Sequence, residues 1–339
     1  MAENFDAIII GAGVIGASVG LELARQGWRT LNVDRLPAAG YGSTSASCAI
    51  IRSHYSTLDG TALAFEGYQY WRQWADHLGV DDERGLARFE EVGCAIMKTP
   101  LNGHMASICA NLDALGIAWE DWDTETLSKR LPIYDLHSYA PAKLPDDPGF
   151  GEATGPSMHG AIFTPQAGYI SDPQLATHNV QVAAEAAGGK FRFNCDVIAI
   201  RQMNGRACGI TLANGDEIDA AVVVNVAGPH SSKVNELAGV AESMTIKTRA
   251  LRQEVVHLPS PDGFDYMTHG PVTSDSDISC YSRPEVGNHI LFGSEDPECD
   301  EREWVDPDNY NTEFTAQWQT QALRAGQRIP SLKIPNQAT

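Results

Sequence analysis

Residues 6–27 read DAIIIGAGVIGASVGLELARQG, and their order decides the fold. Phe5 to Ile10 is a short apolar run of the kind that forms a buried strand. It ends in GAGVIG at Gly11–Gly16. From Ala17 to Gln26, Val19, Leu21, Leu23 and Ala24 supply a buried helical surface, and Gly27 predicts the stop. Thr30 to Val33 then reads as a second strand with Asp34 at its end. A GxGxxG turn between strand and helix is the context that a dinucleotide fingerprint requires. Gly11 permits the tight turn, Gly13 lets backbone approach a pyrophosphate, and Gly16 allows close helix–sheet packing. The helix N-terminus that follows, at Val14 and Ile15, offers unpaired N–H groups and a positive dipole end to phosphates. Asp34 stands 23 residues beyond Gly11, where an acid accepts hydrogen bonds from a ribose. It disfavours a 2′-phosphate but does not separate FAD from NAD.

Outward from this core, Pro37 to Ser47 is a loop rich in Gly, Ser, Thr and Ala. Leu63 to Leu78 predicts an amphipathic helix with Leu63, Tyr70, Trp71, Trp74 and Leu78 on one broad face. Cys94 to Met97 reads as a strand, Ser107 to Leu115 as a helix broken in pattern by Asn111, and Gln174 to Ala187 as another helix. The Pro- and Gly-rich stretch from Asp135 to Ser157 reads as a crossing between regions. Two Asn-Gly pairs, at 204–205 and 214–215, predict hairpin turns between strands at Asp196–Gln202, Arg206–Leu212 and Glu217–Ala220. AVVVNVA at 221–227 reads as a strand covered on both faces. Leu251 to Leu258 and Ile290 to Gly293 are further strands in a more antiparallel region. The expected fold class is therefore α/β, a Rossmann-like nucleotide-binding domain with an inserted, mostly antiparallel α+β domain. The expected division is 1–90 with 155–240 for the first domain and 91–154 with 241–330 for the second, leaving 331–339 as a tail.

The chain has 339 residues, 24 Lys and Arg against 44 Asp and Glu, and a formal charge of −20. That charge opposes binding to nucleic acid, and no basic patch offsets it. Hydrophobic residues at 43% and charged residues at 20% give an ordinary globular mixture. No apolar run approaches the roughly 18 residues of a membrane span. Met1 to Asp6 lacks the basic n-region of a signal peptide. Seven Cys without a CxxC argue against a secreted disulfide framework, so the cytoplasm is the expected location. Neither HExxH nor an EF-hand loop suggests a metal site, and neither GxSxG nor a P-loop suggests hydrolysis or phosphotransfer.

Beyond the glycine turn, five further segments carry a family resemblance. They are VDR at Val33, STSASCAIIRSHY from Ser43, GYISDPQLATHNVQVAAEAAG from Gly168, VVVNVAGPHSSKVNELAG from Val222 and SRPEVGNHILFGSEDP from Ser282. Together the chain resembles the FAD-dependent amine and amino-acid oxidoreductases of the D-amino-acid oxidase superfamily, especially the sarcosine oxidase and dimethylglycine dehydrogenase branch. The resemblance implies FAD as cofactor, held by a discontinuous domain and roofed by the sheet of a substrate domain. It implies pyrophosphate contacts at Gly11, Gly13, Val14, Ile15 and Gly16, with Asp34 where the family often has Glu and Arg35 near the adenine side. Ser43, Thr44 and Ser45 match the loop beneath the diphosphate and ribityl chain, with Ala49 and Ile51 farther along it. Val197 matches a backbone position that meets the adenine, and Ala227 and Gly228 match a small pair close to the cofactor. From the residues alone, Ser43–Ser47 is equally an ordinary loop and Gly228 a strand terminator.

On the substrate side Arg52 stands first, because a guanidinium is a permanent cation with a fixed fork of donors for a carboxylate. The resemblance implies that Arg52 binds a substrate carboxylate. His54 and Tyr55 share its loop, while Tyr266, His269 and Tyr281 fall in the expected roof. Three departures qualify the match. Ala49 stands where some monomeric sarcosine oxidases have a second arginine, and Leu291 where they have an oxygen-activating lysine. The glycine-rich segment that normally follows the substrate domain, with its flavin-linking Cys, is absent, which suggests a fragment, a truncated relative or a chain completed by a second subunit. Cys48 is a weak candidate for covalent attachment. The implied reaction is hydride transfer from a carbon next to nitrogen in a small carboxylate-bearing amine or amino acid, with oxygen or a redox partner as final electron acceptor. The alternatives are oxidation of a 2-hydroxy acid and a catalytically incomplete FAD-binding subunit.

Overall fold

A computed structural model describes residues 4–338. Met1 to Glu3 and Thr339, at the outer ends of the first and last expected segments, lie outside them.

The strand Asn4–Ile10 forms the centre of a six-stranded sheet. Thr30–Val33 and Glu217–Asn225 flank it in parallel, and Lys190–Arg192 extends the parallel set beyond Thr30–Val33. Arg206–Leu212 and Val197–Met203 complete the other edge antiparallel. Ile8, Leu31, Ile210 and Ile218 make an apolar layer on one face. On the other face the helix Val14–Arg25 buries Ala17, Leu21 and Ala24 against Val180 and Ala183 of the helix Pro173–Ala186. Alanines at 17, 24 and 183 lie among the packed residues, which lets the two helices approach closely. Gly27 follows the helix with φ +84, as the sequence predicts.

The second sheet has seven strands, in the order Val255–Pro259, His289–Ser294, Cys280–Glu285, Val272–Asp275, Cys94–Met97, Ala161–Thr164, Glu120–Trp122. Every neighbouring pair is antiparallel except Val272–Asp275 with Cys94–Met97. Between the sheets, Ile50–Ile51 and Phe89–Glu90 sandwich Gly168–Ile170. This is the expected α/β architecture with an inserted mixed sheet.

Several local expectations need correction. Ala161–Thr164 pairs with Cys94–Met97, so the stretch expected in the nucleotide domain from 155 onward contains a strand of the second sheet. The predicted helix over 63–78 is two helices, Leu58–Arg72 and Trp74–Leu78. Leu63 is 76% exposed and Tyr70 also faces solvent, while Tyr68, Trp74 and Leu78 are buried. The helix axis breaks at Gln73, which rotates the buried face. Glu217–Asn225 is one strand, and Val222 is exposed, so this strand is not covered on both faces. Asn204 and Gly205 both have positive φ, as a mirror-image hairpin turn requires. Only Gly215 does in the second Asn-Gly pair, where the Asn214 side chain instead accepts from the Asp216 N–H. The helix Ala316–Arg328 was not anticipated. It packs Trp318, Ala322 and Ala325 into the core of the second sheet, and Leu332, Ile334 and Ala338 of the expected tail lie against the same core.

Candidate functional site

The glycine turn is braced from three sides. Gly11 has φ +116, and a Cβ there would stand 2.4 Å from the Val226 carbonyl oxygen. A Cβ on Gly16 would meet the Gly11 oxygen at 2.1 Å. Gly13 differs: its φ of −70° suits any residue, and a Cβ would meet only the Thr44 hydroxyl, at 3.0 Å. Protein packing therefore does not by itself require glycine at this position. Asp34 Oδ2 accepts from the Ala12 N–H at 2.7 Å, and Oδ1 from the Leu36 N–H. Its first duty is thus to hold the turn. Buried Asn32 donates to the carbonyls of Gly11 and Gly16. It is an unforeseen brace, signalled only by one amide in the buried strand TLNV.

The loop after Asp34 closes over this turn. Thr44 Oγ1 accepts from the Val14 N–H at 3.2 Å. A Cβ on Gly228 would lie 3.8 Å from Ser43 Oγ. Gly11–Gly16, Ser43–Ser45 and Ala227–Gly228 therefore meet in one place. The helix N-cap Gly13 has no side-chain cap, and the first turn carries no acid, so the positive helix end is left to an anion. This cradle fits the diphosphate of a dinucleotide. Val197 is half-buried on the edge hairpin. Exposed Arg35 is paired with Asp308 and hydrogen-bonded to His230.

Farther along, Arg283 clamps the loop by donating to the Cys48 carbonyl at 2.7 Å, while pairing with Glu285 at 2.8 Å and covering the Tyr169 ring. The Cys48 thiol lies 3.0 Å from the Tyr281 hydroxyl. Burial raises the pKa of both groups, so the thiol is not poised as a nucleophile. A cavity of about 300 Å³ on the Cys48 side is lined by Ser45, Cys48, His257, Arg283, Glu285 and Leu291. Leu291 is an apolar wall there. Burial also lowers the pKa of His257.

A larger cavity, of about 550 Å³, opens on the Tyr281 side. Arg52, His54 and Tyr55 line it with Tyr281, so four of the six expected substrate residues share one space. The Arg52 guanidinium lies 4.3 Å over the Tyr55 ring. It forms no ion pair or hydrogen bond with another described residue, which leaves its donors available. His54 is 4% exposed, and burial followed by the Arg52 charge lowers its pKa to about 3. It is a neutral imidazole, and its Nδ1 has no partner. The other two expected residues sit elsewhere. Tyr266 is fully buried in the second core, with its hydroxyl 3.1 Å from those of Tyr134 and Ser282. His269 is exposed on a short helix beside Phe264. The sequence reading missed Glu295, which lines the Arg52 cavity from the end of strand His289–Ser294. No spacing rule marks it, because its role depends on strand pairing between distant segments.

A family model described as FAD dependent oxidoreductase matches residues 6–332. The chain belongs to this family. FAD dependent oxidoreductases supply the cofactor that the glycine turn alone leaves open. The chain is 26% identical over 265 residues to a tRNA 5-methylaminomethyl-2-thiouridine biosynthesis bifunctional protein of Paraburkholderia xenovorans, covering 77% of this chain and 35% of the relative. It is 23% identical over 298 residues to monomeric sarcosine oxidase of Bacillus sp. (strain B-0618), covering 86% and 66%. The chain thus spans between about a third and two thirds of these relatives' lengths. In structure it is similar to L-proline dehydrogenase from P. horikoshii, with a TM-score of 0.77 and 17% identity over 98% of this chain and 80% of that one. That likeness establishes the fold. Among the described residues, no helix is long and apolar enough to cross a membrane. No group of three or more His, Cys, Asp or Glu is placed there to hold a metal ion.

Proposed function

We propose that this FAD dependent oxidoreductase oxidises the carbon–nitrogen bond of a small amino acid or N-methyl amino acid, in the manner of the sarcosine oxidase branch. The observation that carries this reading is Arg52: a cation stacked on Tyr55 that forms no ion pair or hydrogen bond with another described residue, on the wall of a cavity large enough for such a molecule. Gly11, Gly13, Val14, Ile15, Gly16, Ser43, Thr44, Ser45, Ala227 and Gly228 would hold the diphosphate and adjoining chain. Asp34 retains lone pairs for the ribose, and Val197, Ala49 and Ile51 line the path to either side. Bound FAD supplies a hydride acceptor.

The protein's share is positioning and exclusion of water. Arg52 takes the carboxylate through paired N–H donors. Tyr55 holds the guanidinium plane, and Tyr281 walls the cavity. Neutral His54 adds a hydrogen-bonding nitrogen without a second positive charge. Leu291 places no lysine on the Cys48 side, where the permanent cation Arg283 is already paired with Glu285, which favours an electron acceptor other than oxygen.

Anaerobic mixing of the flavoprotein with a panel of amino and N-methylamino acids tests the reading. Bleaching of the flavin by at least one of them, with release of ammonia or formaldehyde on turnover, is the expected result. Bleaching by 2-hydroxy acids alone would replace the reading with C–O oxidation. Arg52→Gln is expected to raise KM for the substrate at least tenfold. Oxygen uptake much faster than reduction of an artificial acceptor would overturn the assignment made to Leu291.

A further inference from the structure

Glu295 follows the strand His289–Ser294, and its N–H donates to the Ser279 carbonyl at 2.9 Å. Its Oε1 accepts from Ser274 Oγ at 2.7 Å. Among the described residues, no Lys, Arg or His nitrogen forms an ion pair with its carboxylate. The side chain is half-buried, yet it lines the cavity that Arg52 also lines, just beyond the short strand Ile50–Ile51. The wall there contains one guanidinium and one carboxylate, Arg52 and Glu295, and the two are not bonded to each other.

A carboxylate withdrawn from water without a counter-ion is costly to keep charged. Burial, reinforced by Asp275 and opposed by Ser274 and Arg52, raises the Glu295 pKa to about 7. The other groups facing it are the Cys94 and Cys280 thiols, with His54 and His104 on the cavity wall. None of these is a permanent cation. The free lone pairs of Glu295 therefore face a space whose only fixed positive charge is committed, on the reading above, to the ligand's carboxylate.

We propose that Glu295 is a specificity-determining residue that receives the cationic nitrogen of the substrate, so that the cavity selects zwitterions over singly charged carboxylates. This rests on the reading that the Arg52 cavity is the substrate site. It explains why a site with Arg52 alone would accept 2-hydroxy acids as readily as amino acids, whereas one with both charges would not.

The test uses two unreactive ligands of nearly equal shape, trimethylglycine and 3,3-dimethylbutyrate, which differ by a fixed positive charge. Titration calorimetry on the FAD-loaded protein at pH 8 is expected to give at least tenfold tighter binding of trimethylglycine. Glu295→Gln is expected to remove that preference while changing the affinity for 3,3-dimethylbutyrate less than twofold. Should the variant fold poorly, the wild-type protein gives the same information, because the preference must shrink at pH 5.5, where Glu295 is protonated. A preference that is absent, or that survives both the substitution and low pH, overturns the proposal. If neither ligand binds, or Arg52→Gln leaves both affinities unchanged, the reading of the cavity itself fails.

Discussion

His54 and Glu295 line the same cavity, and burial moves their pKa values in opposite senses, to about 3 from 6.5 and to about 7 from 4.5. Between pH 3 and 6.5 the unfolded chain binds a proton on His54 that the folded chain does not, so this group makes stability rise with pH. Between pH 4.5 and 7 the folded chain holds a proton on Glu295 that the unfolded chain has lost, so this group makes stability fall as pH rises. One proton of difference corresponds to about 1.4 kcal/mol per pH unit. The two slopes cancel in the shared window from pH 4.5 to 6.5. Single substitutions His54→Gln and Glu295→Gln uncouple them. Urea unfolding at half-unit steps from pH 4.5 to 7.5 gives the stability of each form. Taking differences from wild type removes the contributions of the other titrating groups. Wild type minus His54→Gln is expected to climb by about 3 kcal/mol across the shared two units. Wild type minus Glu295→Gln should fall by a similar amount and level off above pH 7. Differences that stay flat with pH would refute the assigned burial of both groups.

Gly11→Ala places a Cβ 2.4 Å from backbone at φ +116, for an expected loss of about 2–4 kcal/mol in urea unfolding. Gly13→Ala should leave apoprotein stability within about 1 kcal/mol, because only Thr44 must give, while FAD affinity measured by flavin fluorescence falls. Arg328→Met leaves buried Asp275 and Asp277 without their partner and is expected to cost about 3–5 kcal/mol in the same unfolding assay. Tyr266→Phe removes core hydrogen bonds, so a loss of about 1–2 kcal/mol with unchanged affinity for 3,3-dimethylbutyrate is expected. Cys48, protonated by burial, should react with iodoacetamide at pH 7.5 far more slowly in the folded than in the urea-unfolded protein, as read by intact mass.

The nucleotide side of the molecule was legible because its chemistry is local. A turn, a helix start and a strand-end acid lie within 24 residues of one another, and backbone sterics dictate glycine at Gly11 and Gly16. The same locality brought Arg52, His54 and Tyr55 into view as one loop. The opposite wall of the cavity was not legible, because it depends on strand register. Tyr281 reaches the cavity while Tyr266 turns into the core, and Glu295 lies beyond the strand that pairs with Cys280–Glu285. Aromatic identity alone does not separate those fates. The helix Ala316–Arg328 was hidden for a related reason: its inner face carries Arg324 and Arg328, which read as surface residues until the aspartates that neutralise them are brought in by the second sheet.

The loop from Ser43 to Tyr55 connects the two halves of the chemistry. Thr44 touches the helix end that would carry the diphosphate, and Arg52 enters the cavity eight residues later. Between them Ala49 adopts φ 51, a left-handed conformation that costs an L-residue roughly 1–2 kcal/mol. Three contacts hold it there: Ser47 Oγ accepts the Ala49 N–H, the Ala49 carbonyl accepts from Ile170, and Arg283 grips the Cys48 carbonyl. Ala49 packs against the apolar cluster that contains Ala17, Leu21 and Val180 and lines neither cavity, so an arginine there would have to displace that packing. Arg52, three residues on, is the one guanidinium on the wall of the larger cavity. The same wall carries Glu295. The bend at Ala49 lies in the chain between the glycine-turn contact of Thr44 and Arg52, so loosening it is expected to weaken binding of 3,3-dimethylbutyrate before it weakens binding of FAD, as titration calorimetry would read.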